Sequence, residues 1–196
     1  FFAVGDCTGH GVPGGFMSML GHSFLNEVVN EKRIREPAEV LNRLREKVIT
    51  ALRQKGIAGE NKDGMDITFL VVDTVRNKLE YAAANNSFYV VRKGIATEYK
   101  ADKQPIGYYS NNMRPFTQHS IDLNKGDCVY LFTDGFPDQF GGTKGKKFKY
   151  SSLQKLFEQH TSLPMTRQRE VLVKTLEEWR GNYEQTDDIC VAGIRI

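Results

Sequence analysis

The pattern of apolar and polar positions changes character twice along the chain. It opens with an apolar run, residues 1–6, that reads as a strand ending in Asp6 and a glycine-rich turn. From residue 12 to residue 30 apolar side chains return every three or four positions. Phe16, Met19, Leu20, Phe24 and Val28 therefore define one face of a helix, with Pro13 in its first turn. The charged residues Glu31, Lys32, Arg33, Arg35 and Glu36 form a linker. Pro37 then opens a second helix, in which Val40, Leu41, Leu44, Val48, Ile49 and Leu52 repeat at three and four, and Gly56 stops it. Residues 58–64 are polar and read as a loop.

From Asp66 the pattern shortens to strands. Runs at 67–72, 79–84, 88–91, 95–99, 116–123 and 128–133 are separated by turn signals such as Arg76-Asn77-Lys78, Asn85-Asn86, Lys93-Gly94 and Asn124-Lys125-Gly126-Asp127. Short connections of this kind predict largely antiparallel pairing. The stretch to about Lys149 is irregular, 151–160 and 167–180 read as helices, and 189–196 closes as a strand. The order predicts one α+β domain over residues 1–196, with sheets covered by helices.

Composition narrows the class. The 196 residues are 40% hydrophobic and 26% charged, as in a globular domain with a sizeable core. No apolar run is long enough to span a membrane, and no leader precedes the first strand. The chain opens inside a strand without Met, so it is expected to be part of a longer protein. Three cysteines with no CxxC spacing argue against a disulfide framework and a structural zinc site, and favour a reducing compartment. Cys128 and Cys190 lie in apolar runs and read as small buried thiols. A net charge of +3 gives no reason to expect nucleic acid.

Asp6, Asp134 and Asp187 share a context, each at one end of an apolar strand and beside a turn. Two readings stay open on spacing alone. Acidic residues beside glycine cap turns; carboxylates on rigid strand ends also suit hard cations such as Mg²⁺ and Mn²⁺.

The motifs themselves are more specific. Asp6-Cys7-Thr8-Gly9-His10-Gly11-Val12-Pro13, then Phe132-Thr133-Asp134-Gly135-Phe136, then Thr186-Asp187-Asp188-Ile189 resemble the PPM family of metal-dependent protein serine/threonine phosphatases, in its bacterial SpoIIE-type branch. The resemblance implies two packed antiparallel sheets flanked by helices and a binuclear Mn²⁺ or Mg²⁺ centre. It implies that Asp6 bridges both metals, that the Cys7 carbonyl is a backbone ligand, that Asp134 and Asp187 add carboxylates, and that Asp188 supports the loop. Two metals sharing a water would then hydrolyse phosphoserine or phosphothreonine without a protein nucleophile. The implied partners are a phosphoprotein substrate, in this branch often a small anti-sigma-factor antagonist, and an upstream sensor domain. The helix pair following the first motif is a candidate route for that sensor's signal. The implied location is the cytoplasm, including the cytoplasmic part of a membrane-anchored sensor.

Departures from the family set further expectations. The family has another acidic ligand on a strand upstream of the first motif, and this chain starts after that point. The domain is therefore expected to lack its first strands, to bind metal weakly and turn over little by itself, and to expose an edge through which a homodimer could form. The alternatives are a pseudo-phosphatase module that binds a regulatory partner, and a metal-dependent hydrolase of small phosphates. Ala84-Asn85-Asn86-Ser87 stands where other branches have Gly-Asp-Ser-Arg, so no third metal is expected and Asn85-Asn86 reads as a plain turn. His10 is a candidate general acid beside a simpler role in the turn, while His22, His119 and His160 read as surface or satisfied core residues. Asp66 could orient the metal loop or cap a turn, and the Lys144–Lys149 basic run reads as a solvated loop.

Overall fold

The computed structural model describes residues 1–9, 11–57, 62–110 and 113–196. The chain forms two compact units: residues 1–87 with 100–122, and residues 88–99 with 123–196.

The first unit is built on a four-stranded antiparallel sheet of order β1-β2-β3-β6, from Phe2–Cys7, Met65–Asp73, Lys78–Ala84 and His119–Asp122. Helices α1 (Gly11–Asn26) and α2 (Pro37–Ala51) cover one face of it. Pro37 starts α2 as the sequence predicts, and its stripe of Val40, Leu41, Leu44 and Val48 is buried against Ile67, Phe69, Ala82 and Ala84. Both faces of β2 are buried, which is why its run is continuous rather than alternating.

The first helix departs from the prediction. Phe16 is 62% exposed and Met19 70%, while Gly14, Met17, Gly21 and Val28 are buried. The predicted face holds at its far end, where Val28 is buried and Phe24 packs on the core, but not at Phe16 and Met19, because a periodicity count passes over the buried glycines. At Gly21 an added Cβ would stand 2.1 Å from the terminal methyl group of Met65, so a larger residue there would require the Met65 side chain to move. The predicted single helix over 12–30 also changes winding, with a π-helical turn at Glu27–Glu31. The wider turn lets the consecutive residues Val28 and Val29 both face the core.

The second unit carries a four-stranded antiparallel sheet of order β10-β7-β4-β5, from Val191–Arg195, Cys128–Phe132, Phe88–Arg92 and Ile95–Tyr99. The stretch expected to be irregular contains a short helix α3 (Gly135–Asp138) and a minimal hairpin, β8 (Phe140–Gly141) with β9 (Lys146–Lys147). Helices α4 (Tyr150–His160) and α5 (Met165–Arg180) complete the unit, and its aromatic core includes Tyr130 stacked on Phe157 with ring centroids 4.1 Å apart. Within the basic run Lys147 pairs with Asp138 at 2.7 Å, while Phe148 is buried edge-on to Phe136 and Trp179. Cys128 is buried as predicted; Cys190 is exposed, contrary to the prediction, just before β10 at the sheet edge, a position the apolar run of the sequence does not reveal. The α+β class with antiparallel sheets and helices is the observed one.

Candidate metal centre

In the first unit the backbone ladder places the key carboxylate. Strand β1 pairs with β2 in a register that sets Asp6 opposite Asp66 and Cys7 opposite Met65. Residues directly opposite in an antiparallel pair share a face, and like charges there destabilise the pair unless a cation intervenes. Asp66 also accepts a 2.9 Å hydrogen bond from Asn85 Nδ2. Asn85 holds a left-handed backbone (φ +54°), and its N–H donates to the Asp102 carbonyl at 2.8 Å. The turn read as plain thus fixes Asp66; the sequence signal available for it was Asn, a residue that tolerates this conformation.

The loop after Asp6 is clamped to the start of β2. Thr8 N–H donates to the Gly64 carbonyl at 3.0 Å, and Gly64 N–H donates back to Thr8 Oγ1 at 2.8 Å. Gln54, beyond the end of α2, extends this support by donating from Nε2 to the Asp63 carbonyl at 2.6 Å and accepting Tyr108 N–H at 2.8 Å. The Cys7 side chain packs against the helix-side core. Burial chiefly, with the Asp6 charge, pushes its thiol above the ordinary value against a lowering bond from Ser18, so the thiol is poorly suited to act as a nucleophile.

In the second unit Asp134 precedes α3, and Asp187 and Asp188 lie on the approach to β10. The two segments touch. Thr133 N–H donates to the Cys190 carbonyl at 3.0 Å, and Gly135 leaves so little room that an added Cβ would stand 2.3 Å from the Asp188 carbonyl oxygen. Asp187 Oδ1 accepts the Asp188 N–H at 2.8 Å. In one unit the register sets Asp6 and Cys7 beside Asp66 and Met65; in the other, the residues flanking Asp134, Thr133 and Gly135, meet Asp188 and Cys190 on the segment that carries Asp187. His10 lies outside the described residues, as do 58–61 of the predicted loop. His119 stacks on Tyr81, His160 Nδ1 lies 2.9 Å from the Leu156 carbonyl, and His22 is exposed, in keeping with structural roles.

Among the described residues no group of three or more His, Cys, Asp or Glu side chains forms a preassembled metal site. The donors nevertheless fit a hard divalent cation. They are carboxylate and carbonyl oxygens on strand ends, and the opposed Asp6–Asp66 pair is a place where positive charge relieves repulsion.

The family model of stage II sporulation protein E matches residues 1–196. The SiaA PP2C domain of Pseudomonas aeruginosa is 31% identical, with a TM-score of 0.87 over 99% of this chain and 74% of that one. The PP2C phosphatase domain with a regulatory fragment of SpoIIE from Bacillus subtilis is 16% identical, TM-score 0.75, over 98% of this chain and 53% of that one. A Mycobacterium tuberculosis structure with RsbU and RsbW domains is 20% identical, TM-score 0.73, over 98% of this chain and 50% of that one. The chain thus spans about half the length of the latter two structures. No curated protein sequence matches it. With the family model spanning every residue and the PP2C fold recurring in all three structures, the chain belongs to the SpoIIE family of PPM-type phosphatase domains.

Proposed function

We propose that the domain is a metal-dependent protein serine/threonine phosphatase acting on a bacterial signalling partner. The observation that carries this reading is the Asp6–Asp66 pair, two carboxylates opposed across β1 and β2 in a member of a phosphatase family. Asp6, the Cys7 carbonyl, Asp134 and Asp187 would hold Mn²⁺ or Mg²⁺. The chemistry supplied at these residues would be Lewis acidity toward water and neutralisation of phosphoryl charge. The chain's own part is placement. The β1–β2 register and the Thr8–Gly64 clamp hold Asp6, and Asn85 orients Asp66. Asp188 supports the loop that carries Asp187.

The expected substrate is a phosphoserine or phosphothreonine on a small anti-sigma-factor antagonist, with an upstream sensor domain governing the reaction in the cytoplasm. Among the described residues no helix is long and apolar enough to cross a membrane. The test is Mn²⁺-dependent phosphate release by the intact protein from a phosphoserine peptide, set beside a small phosphoester. Preferential, chelator-sensitive release from the peptide supports the reading. Release from the small ester alone indicates a general phosphate hydrolase, and no release with either indicates a binding module.

A further inference from the structure

We propose that Thr133 and Gln139 are positioning residues that set Asp187 beside Asp134 before any metal arrives. The inference rests on the metal-ligand reading of those two carboxylates. Thr133 is 3% exposed and Gln139 1%, and they flank Asp134 in sequence. Each reaches across to the segment that carries Asp187.

Thr133 does so at the point where the sheet ends. The β7–β10 ladder runs as far as Phe132 opposite Val191. One step further, Cys190 N–H donates not to a backbone carbonyl but to Thr133 Oγ1, at 2.9 Å. The same hydroxyl donates to the Asp188 carbonyl at 3.0 Å. One side-chain oxygen thus serves two main-chain groups on either side of Ile189, as a hydroxyl alone can by accepting and donating at once. Gln139 works at the far end of the segment. Its Nε2 donates to the Glu184 carbonyl at 2.9 Å and to the Phe140 carbonyl at 3.0 Å. Its own carbonyl accepts Trp179 Nε1–H at 3.0 Å, which ties it to the end of α5. Residues 184–190 are therefore gripped at both ends by side chains bracketing Asp134, and Asp187 lies between the grips.

The test combines hydrogen exchange of the metal-free protein with Mn²⁺ affinity measured by calorimetry, both on the intact protein. Thr133→Val keeps the shape and removes the hydroxyl. It is expected to speed exchange across 184–190 by about tenfold while β2 and β3 keep their protection, and to weaken Mn²⁺ binding by about tenfold or more. Thr133→Ser restores both, an outcome that a general packing role for the threonine would not produce. Gln139→Met is expected to loosen 182–186 and weaken Mn²⁺ binding by about threefold to tenfold. Wild-type exchange and affinity in Thr133→Val would overturn the proposal. If that variant also loses protection in β2 and β3, Gln139→Met decides, and its wild-type behaviour overturns the proposal equally. Asp134→Asn separates the two ideas. Unchanged Mn²⁺ affinity there removes the metal reading, while the exchange data still judge the grip.

Discussion

Asp6 and Asp134 carry the same chemical group into two different settings. Asp6 sits inside a backbone ladder, opposite Asp66, and its loop is closed by a main-chain bond from Thr8 to Gly64. Asp134 sits just beyond a ladder, and the segment facing it is held largely by the Thr133 hydroxyl and the Gln139 amide. In the first unit the strand register does the placing; in the second, side chains do. Register is set by many bonds together, so a single side-chain change at the first site leaves most of the placement intact. At the second site one oxygen bonds two different residues on either side of Ile189, and its loss removes both bonds.

The comparison is broken most severely at the carboxylates themselves. On the proposed function, Asp6→Asn and Asp134→Asn are each expected to lower phosphatase turnover by about a hundredfold or more, since either would remove charge that holds the proposed metals. Steady-state kinetics on the intact protein check this, and a full-rate variant would remove that residue from the site.

A second contrast lies in the cores. Leu44→Ala opens a cavity between α2 and its sheet, and is expected to cost about 2–5 kcal/mol; Phe157→Ala, which empties the stack on Tyr130, is expected to cost about 3–5 kcal/mol. Urea denaturation measures both. Costs below about 1 kcal/mol would mean that the sites collapse around the loss.

A smaller effect sharpens the contrast in placement. Thr8→Val removes the hydroxyl that accepts Gly64 N–H and donates to the Gly64 carbonyl, two groups of one residue that the bond from Thr8 N–H still holds. It is expected to cost about 1 kcal/mol of stability and to weaken Mn²⁺ binding less than Thr133→Val does. The reverse order in calorimetry would contradict the distinction between register and side-chain grip.

The smallest effect is electrostatic. Hydrogen bonds from Lys47 and then Lys32 hold the Glu27 carboxyl below its ordinary value of 4.5. A depressed folded pKa contributes stability above the unfolded value, and that stability is lost as pH falls through the folded one. Glu27→Gln is therefore expected to lower stability at neutral pH and to flatten its fall toward acid pH, leaving the most acidic point nearly unchanged. Denaturation midpoints from pH 7 down to pH 3 read this out, and an unchanged acid slope would contradict it.

Much of the architecture was legible in the chain. Pro37 and the spacing of Val40, Leu41, Leu44 and Val48 place α2 on its correct face, because a branched apolar stripe both marks the helix and does the packing. The first half of the α1 face was not legible, since its buried side there includes Gly14 and Gly21, which no hydrophobic count registers. The carboxylates were legible as motifs beside turns. Their supports were not: Asn85, Thr133 and Gln139 act through contacts 19, 55 and 45 residues away, and a polar residue in a turn or at a strand end looks the same whether or not it reaches such a partner.

The most direct test of the account is Mn²⁺ binding to the intact protein, followed by thermal shift, in wild type beside Asp6→Asn. Mn²⁺ is expected to raise the melting temperature of wild type, and the isosteric, uncharged variant is expected to lose most of this rise. An equal Mn²⁺-induced rise in both proteins, or none in wild type, would contradict it.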